Sequence, residues 1–300
     1  MLYPSVMFRR GPWRAAVHRT FLMNICLFLG VALASWSSAM ASPWEKVSEP
    51  SKGDSESIGT YSNGCMAGGS ALPLQGDGYQ VIRSHRGRYY GHEEMIVFLQ
   101  QLSKQVNQLE LGNLLVGDIA MPRGGRFSSG HASHQTGLDA DIWLKITDKP
   151  LDKNALVEAQ PLPMVHIKDY KINKANWSDK QALLVQLAAA DERVARIFVH
   201  PVIKEQLCKR EWKERDWLQK VRPWWGHYYH FHVRLHCPEG SDNCKAQKAP
   251  PAGDGCGAEL ASWKPKPKVK SDKKKTVKAS IPKKKKPAKI PPAQCMALLK

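Results

Sequence analysis

The chain has 300 residues, and beyond its first forty no stretch is apolar enough to span a bilayer, so no stable membrane insertion is expected. Its formal net charge of +18 invokes a nucleic-acid or membrane partner only until it is located. The leader's four arginines contribute +4, residues 264–292 contribute +12 and Lys300 one, which leaves +1 for residues 42–263; a fold this near neutrality excludes nucleic acid as the expected partner.

In chain order, Arg9, Arg10, Arg14 and Arg19 precede the apolar run "FLMNICLFLGVALASW" and the small-residue site Ala39-Met40-Ala41. This pattern predicts a secretory signal peptide over residues 1–41 and an exported mature protein. The six cysteines left after Cys26 are Cys65, Cys208, Cys237, Cys244, Cys256 and Cys295, an even set that suits three disulfides in an oxidising compartment. Spacing alone favours only the short Cys237 to Cys244 loop. Residues 42–263 suffice for one substantial domain or two small ones, and no internal repeat or long linker divides them. Within them, Met95, Leu99, Leu102, Val106 and Leu109 predict a helix over 93–109, and "LLVGDIAM", 114–121, reads as a strand. A second helix is expected over 179–194 and a further short strand over 196–201. The mixture predicts an α+β fold with a small antiparallel sheet flanked by helices. Residues 264–292, rich in Lys and Pro, carry too few apolar side chains to fold and predict a disordered segment before a C-terminal end, 293–300, that holds Cys295. Such a segment is either a solvated linker or a loose electrostatic contact with an anionic polymer of the cell envelope.

Two segments carry chemistry. In "PRGGRFSSGHASHQTGLDADIWL", 122–144, a Gly/Ser-rich loop presents His131 and His134, and Asp139 and Asp141 fall on one side of a strand that begins near residue 138. In "WWGHYYHFHVRLHCP", 224–238, Phe231, Val233 and Leu235 alternate with His230, His232 and Arg234, so both histidines project from one face. Either segment alone is ordinary turn or sheet-edge chemistry. Together, two imidazoles and a carboxylate make the usual protein contribution to a catalytic zinc with an open position, and a spare imidazole can move the proton of the attacking water. The flanking Trp224, Trp225, Tyr228 and Tyr229 divide between core and the wall of a peptide cleft.

The spacing H-x6-D, His134 to Asp141, followed by H-x-H, His230 to His232, resembles zinc peptidases that share a fold with lysostaphin-type enzymes, D-Ala-D-Ala dipeptidases and the hedgehog domain. The strings "GGRFSSGHASHQTGLDADIWL", "RIFVHPVIKEQLC", "DWLQKVRPWW", "HFHVRLHCP" and "GDGCGAEL" resemble the penicillin-insensitive murein endopeptidase family from about Trp44 to Leu260, and again around Cys295. That resemblance implies Zn2+ held by His134, Asp141 and His232, with His131 as a further ligand or near neighbour. It makes His230 and His227 the candidates for general base and oxyanion stabiliser, without dividing the roles. It implies a periplasmic enzyme whose partner is peptidoglycan, cut at the D-alanyl to meso-diaminopimelyl crosslink. It also implies the pairs Cys65 with Cys295, Cys208 with Cys256, and Cys237 with Cys244. His236 is expected to be structural. One departure stands out: Lys168 and Lys171 occupy positions where the family pattern carries ligands for a second metal, and His166 and Asp169 lie near enough to substitute only if the loop shifts.

Three rivals remain at this level. A peptidoglycan-binding protein without catalysis needs no surplus imidazoles. An iron oxygenase with two histidines and a carboxylate usually spaces the first His and the carboxylate by two residues, not seven as here. A serine peptidase needs S-x-x-K in a folded pocket, and the matches here begin at Ser271 and Ser280, inside the lysine-rich segment. The sequence leaves the oligomeric state open.

Overall fold

The computed structural model describes residues 42–266 and 289–300. The signal-peptide expectation and most of the Lys/Pro-rich segment therefore lie outside the described residues, among which no helix is long and apolar enough to cross a membrane.

A hairpin of β1 (Glu56–Thr60) and β2 (Asn63–Ala67) opens the fold, and β3 (Ser70–Ala71) follows. The next hairpin, β4 (Gln75–Gly76) and β5 (Tyr79–Val81), turns through Asp77-Gly78, where φ of +74° at Gly78 is the left-handed geometry such a turn requires. Strand β6 (Tyr90–Gly91) returns to pair with β3 and leads into α1 (Glu93–Gln108). Helix α1 buries Met95, Leu99, Leu102 and Val106 as their spacing predicts, while Leu109, past its end, stays half exposed. Then come β7 (Asn113–Val116), β8 (Asp139–Thr147), α2 (Lys153–Val157) and the small hairpin β9 (Val165–His166) with β10 (Lys171–Ile172). Helix α3 (Asp179–Ala190) starts at a capping box of Ser178 and Gln181. It ends short of the predicted 194 because Asp191 turns the chain by accepting from Arg193, and Val194 begins β11 (Val194–Val199). Helix α4 (Pro201–Lys209), β12 (Val221–Pro223), β13 (His230–Leu235), α5 (Ala258–Ser262) and α6 (Ala293–Ala297) complete the order.

Seven strands form one sheet in the order β12-β11-β13-β8-β7-β5-β4. The α+β class is as expected, and the strands that bear the candidate ligands are antiparallel; the sheet extends further through parallel pairs, β11 with β12 and β5 with β7. Helices α1 and α3 cover one face, where Ala140, Ile142 and Leu144 of β8 and Phe231, Val233 and Leu235 of β13 are all buried. Burying each large side chain stabilises by about 1.5–3 kcal/mol, so this face fixes the β8/β13 register. Phe231 pairs with Ile142 and Val233 with Ala140. The alternate positions consequently meet on the other face, where His232 faces Asp141 and Arg234 faces Asp139.

The predicted strand over 114–121 stops at Val116. There the backbone leaves the ladder but keeps two bonds to Asp141, from Gly117 N to its carbonyl and from its N–H to the Asp118 carbonyl, which carries Asp118 to the site face. All six described cysteines pair as the resemblance implied: Cys65 with Cys295, Cys208 with Cys256, and Cys237 with Cys244.

Candidate metal centre

Four imidazoles converge on the Asp141 carboxylate. His131 Nε2 lies 3.4 Å from Oδ2, His134 Nε2 3.4 Å from Oδ1, His230 Nε2 3.6 Å from Oδ2 and His232 Nδ1 3.2 Å from Oδ1. Strand pairing explains the last two, since β13 places His230 and His232 on the face that β8 presents. The loop explains the others. Gly137, at φ of +72°, lets the chain pass against Met66 and His92, where a Cβ would fall 2.1 Å from the Met66 sulfur. His134 itself sits at φ of +66°, a left-handed conformation that costs a non-glycine residue about 1–2 kcal/mol. Its N–H donates to Asp139 Oδ2 at 3.1 Å, which offsets part of that cost and aims the ring.

Two of the rings are oriented from behind. His134 Nδ1 donates to the Ile119 carbonyl at 2.7 Å, which leaves the lone pair on Nε2 directed at Asp141. His232 Nε2 donates to Asp139 Oδ1 at 2.8 Å, which leaves Nδ1 for the same point. Asp139 is fully buried and also accepts from Arg234 Nε at 2.7 Å. Burial alone would raise its pKa, but Arg234 and His232 outweigh it and hold the carboxylate far below its ordinary range. Burial likewise works against Asp141, and the surrounding histidines, His230 and His134 foremost, keep it ionised. Burial pushes His227 down to about 3, aided by His230 and His232, and pushes His230 down to about 4. Both are neutral at pH 7. Burial opposes a charge on His232, yet Asp139 and Asp141 raise its pKa to about 8.

Two buried atoms at this point, His134 Nε2 and Asp141 Oδ1, have no hydrogen-bond partner. His131, His134 and Asp141 offer ligand atoms within 4.8 Å of one another, and His232 Nδ1 stands beside that set, 3.2 Å from Asp141 Oδ1. Orphaned donors of this kind, nitrogen from neutral imidazole and oxygen from carboxylate, suit a divalent cation.

The sequence-based candidates therefore gather: His131, His134, His230 and His232 share the Asp141 carboxylate, and the His227 ring lies 5.0 Å from that of His230, tilted by 49°. His236 is exposed and lies apart, its N–H donating to Arg193. Lys168, Lys171, His166 and Asp169 lie exposed on the β9–β10 hairpin. Trp224 and Trp225 are exposed, whereas Tyr228 and Tyr229 are partly buried. Sequence reasoning missed Asp118, which lies 3.3 Å from His131 Nε2 and 3.0 Å from Arg88 Nη1. An acid inside the apolar run "LLVGDIAM" was its signal. A cavity of about 500 Å³ opens onto the centre, lined by His131, Arg196, Phe198, Trp224, His227, His232 and Arg234 among others.

Comparison with known proteins agrees with this geometry. The penicillin-insensitive murein endopeptidase family matches residues 57–300. A penicillin-insensitive murein endopeptidase of Klebsiella pneumoniae (strain 342) is 47% identical over 278 residues, 93% of this chain and 98% of that one. Those of Salmonella paratyphi B (strain ATCC BAA-1250 / SPB7) and Escherichia coli O1:K1 / APEC are 46% and 47% identical, covering 90% and 89% of this chain and 96% and 94% of theirs. Because the matched region takes in every strand of the seven-stranded sheet and both segments that meet at Asp141, the chain belongs to the penicillin-insensitive murein endopeptidase family.

Proposed function

We propose that the protein is a zinc-dependent murein endopeptidase of the periplasm that hydrolyses D-alanyl to meso-diaminopimelyl crosslinks of peptidoglycan. The observation that carries this reading is the single carboxylate, Asp141, ringed by four imidazoles, two of which, His131 and His232, line an open cavity. His134, Asp141 and His232 would hold the metal, with His131 as a further ligand. Bound zinc supplies Lewis acidity: it polarises the scissile carbonyl and brings the pKa of water from about 15.7 toward roughly 7.

The chain's own groups do the rest. The Ile119 carbonyl and Asp139 hold the outer nitrogens of His134 and His232, so that His134 Nε2 and His232 Nδ1 face Asp141, where a bound metal would take the place of a proton. His230 and His227, neutral at pH 7, each have a lone pair with which to take the proton of the attacking water and return it to the leaving amine. Arg196 and Arg234 line the same cavity and give it positive charge toward the carboxylates of a peptidoglycan stem. No serine or cysteine nucleophile is required, which accounts for insensitivity to penicillin.

The test pairs metal analysis with digestion of purified sacculi read by mass spectrometry of the released muropeptides. His134→Ala, Asp141→Ala and His232→Ala should each lose zinc and cleavage together. His230→Ala or His227→Ala should keep most of the zinc and lose turnover by about 10²–10⁴. Full zinc content in the wild type without any cleavage would favour a peptidoglycan-binding protein instead.

A further inference from the structure

The catalytic cavity does not end at the metal centre. Trp44, Trp143 and Trp217 are at most 6% exposed, as tryptophan in a soluble fold usually is, whereas Trp224 and Trp225 are 54% and 51% exposed. With Trp263 they form one surface cluster: Trp263 lies 6.0 Å from Trp224 and 5.4 Å from Trp225 between ring centroids. The cluster is anchored rather than loose. Trp224 N–H donates to the Val199 carbonyl at 2.8 Å, Tyr170 Oη donates to the Trp263 carbonyl at 3.0 Å, and the Tyr170 ring lies 6.2 Å from Trp225. Trp224 belongs both to this cluster and to the wall of the cavity that holds His131, His227 and His232. A continuous path of rings therefore leads outward, from His232 to Phe198 at 5.4 Å, to Trp224 at 5.7 Å, to Trp263 and then to Trp225.

We propose that Trp224, Trp225 and Trp263 form a stacking platform for sugar rings of the glycan strand that carries the stem peptide being cut. The proposal rests on the murein reading of the cavity and extends it to a second part of the substrate. Exposed, preorganised indole faces attract the CH faces of pyranose rings, a contact that needs no charge and no fixed sequence. Peptidoglycan presents such rings at a set distance from its scissile bond, because each stem is tied to a sugar. An extended stem of three to five residues spans roughly 10–18 Å. Trp224 lies two ring-to-ring steps from His232, at most about 11 Å away, and Trp225 four steps, at most about 22 Å away, so the platform begins within that reach.

Binding of peptide-free glycan strands, read by tryptophan fluorescence of the mature disulfide-bonded protein, tests this without any hydrolysis. The result therefore stands apart from that of the endopeptidase assay. A saturable change is expected in the wild type, weakened about tenfold in Trp225→Ala and recovered in Trp225→Tyr. The second readout compares a crosslinked disaccharide-peptide dimer with the same dimer stripped of its sugars. Trp225→Ala should raise KM on the sugar-bearing dimer about tenfold and leave cleavage of the sugar-free dimer unchanged. No saturable fluorescence change in the wild type, or equal affinity of wild type and Trp225→Ala for the glycan, would overturn the proposal and point to a second copy of the chain as the occupant. An equal loss on both dimers would also overturn it, since the indoles would then serve the peptide.

Discussion

Removing the charge of Asp139 leaves Arg234 buried without its counter-ion and His232 without the group that fixes its tautomer. Asp139→Asn should lower metal affinity by about 10- to 100-fold. It should also destabilise the fold by roughly 3 kcal/mol, because a buried guanidinium loses its partner. Chelator competition and thermal unfolding measure the two effects, and unchanged values in both would remove Asp139 from the support of the centre. The contrast between this residue and its neighbours shows what single positions reveal in a sequence. His134, Asp141, His230 and His232 were legible because strand periodicity and a resemblance of spacing mark them. Asp139 was legible as a carboxylate on the right face but not as the partner of Arg234, which depends on a strand almost a hundred residues away. Asp118 was not legible as a site residue at all, because the chain brings it beside His131 only by leaving the β7 ladder.

At the scale of elements, the alternation of Phe231, Val233 and Leu235 foretold which face of β13 is buried, but not that β8 would be its partner. Helix α4 hides a feature of the same kind. Lys204 is fully buried, and its Nζ donates to the carbonyls of Leu218 at 2.7 Å and Asp254 at 2.6 Å. Nothing in "PVIKEQLCK" marks that lysine as interior, since the groups that bury it come from later segments. Burial first, then Arg222 and Arg215, push its pKa from the ordinary 10.5 to about 7, and Asp254 offsets only part. Between those two values the unfolded chain holds a proton that the folded chain has released. Stability should therefore rise with pH across that window, by at most about 1.4 kcal/mol per pH unit, and be insensitive to this group below it. Urea unfolding of wild type and Lys204→Met at pH 7 and pH 9 isolates the effect, with the wild type gaining on the variant at the higher pH. A difference independent of pH would mean that Lys204 keeps its proton in the fold.

For the molecule as a whole, twelve of the +18 charges lie in residues 264–292, and a residue near each margin of that segment lies beside a residue lining the cavity. Trp263 touches Trp224 on one wall, and Lys289 Nζ donates to Ser62 Oγ on another. Replacing the segment's lysines by Gln removes its charge and leaves its length unchanged. That variant should bind sacculi more weakly at low salt, and the difference should fade as salt rises, since such attraction is screened over about 8 Å at physiological ionic strength. Co-sedimentation across a salt series measures it, and equal binding at low salt would mark the segment as a linker only.

The Cys65–Cys295 bond joins positions 230 apart, so residues 65–295 form a covalent ring. One consequence concerns damage. A protease of the envelope that cuts after any lysine between Trp263 and Cys295 opens the ring without dividing it, because the C-terminal piece stays tied to β2. Nicked protein should run as one band on a non-reducing gel and as two after reduction, with activity kept as long as the bond is intact. A long run of lysine, an invitation to such enzymes, is thereby carried where a single cut costs the molecule none of its parts.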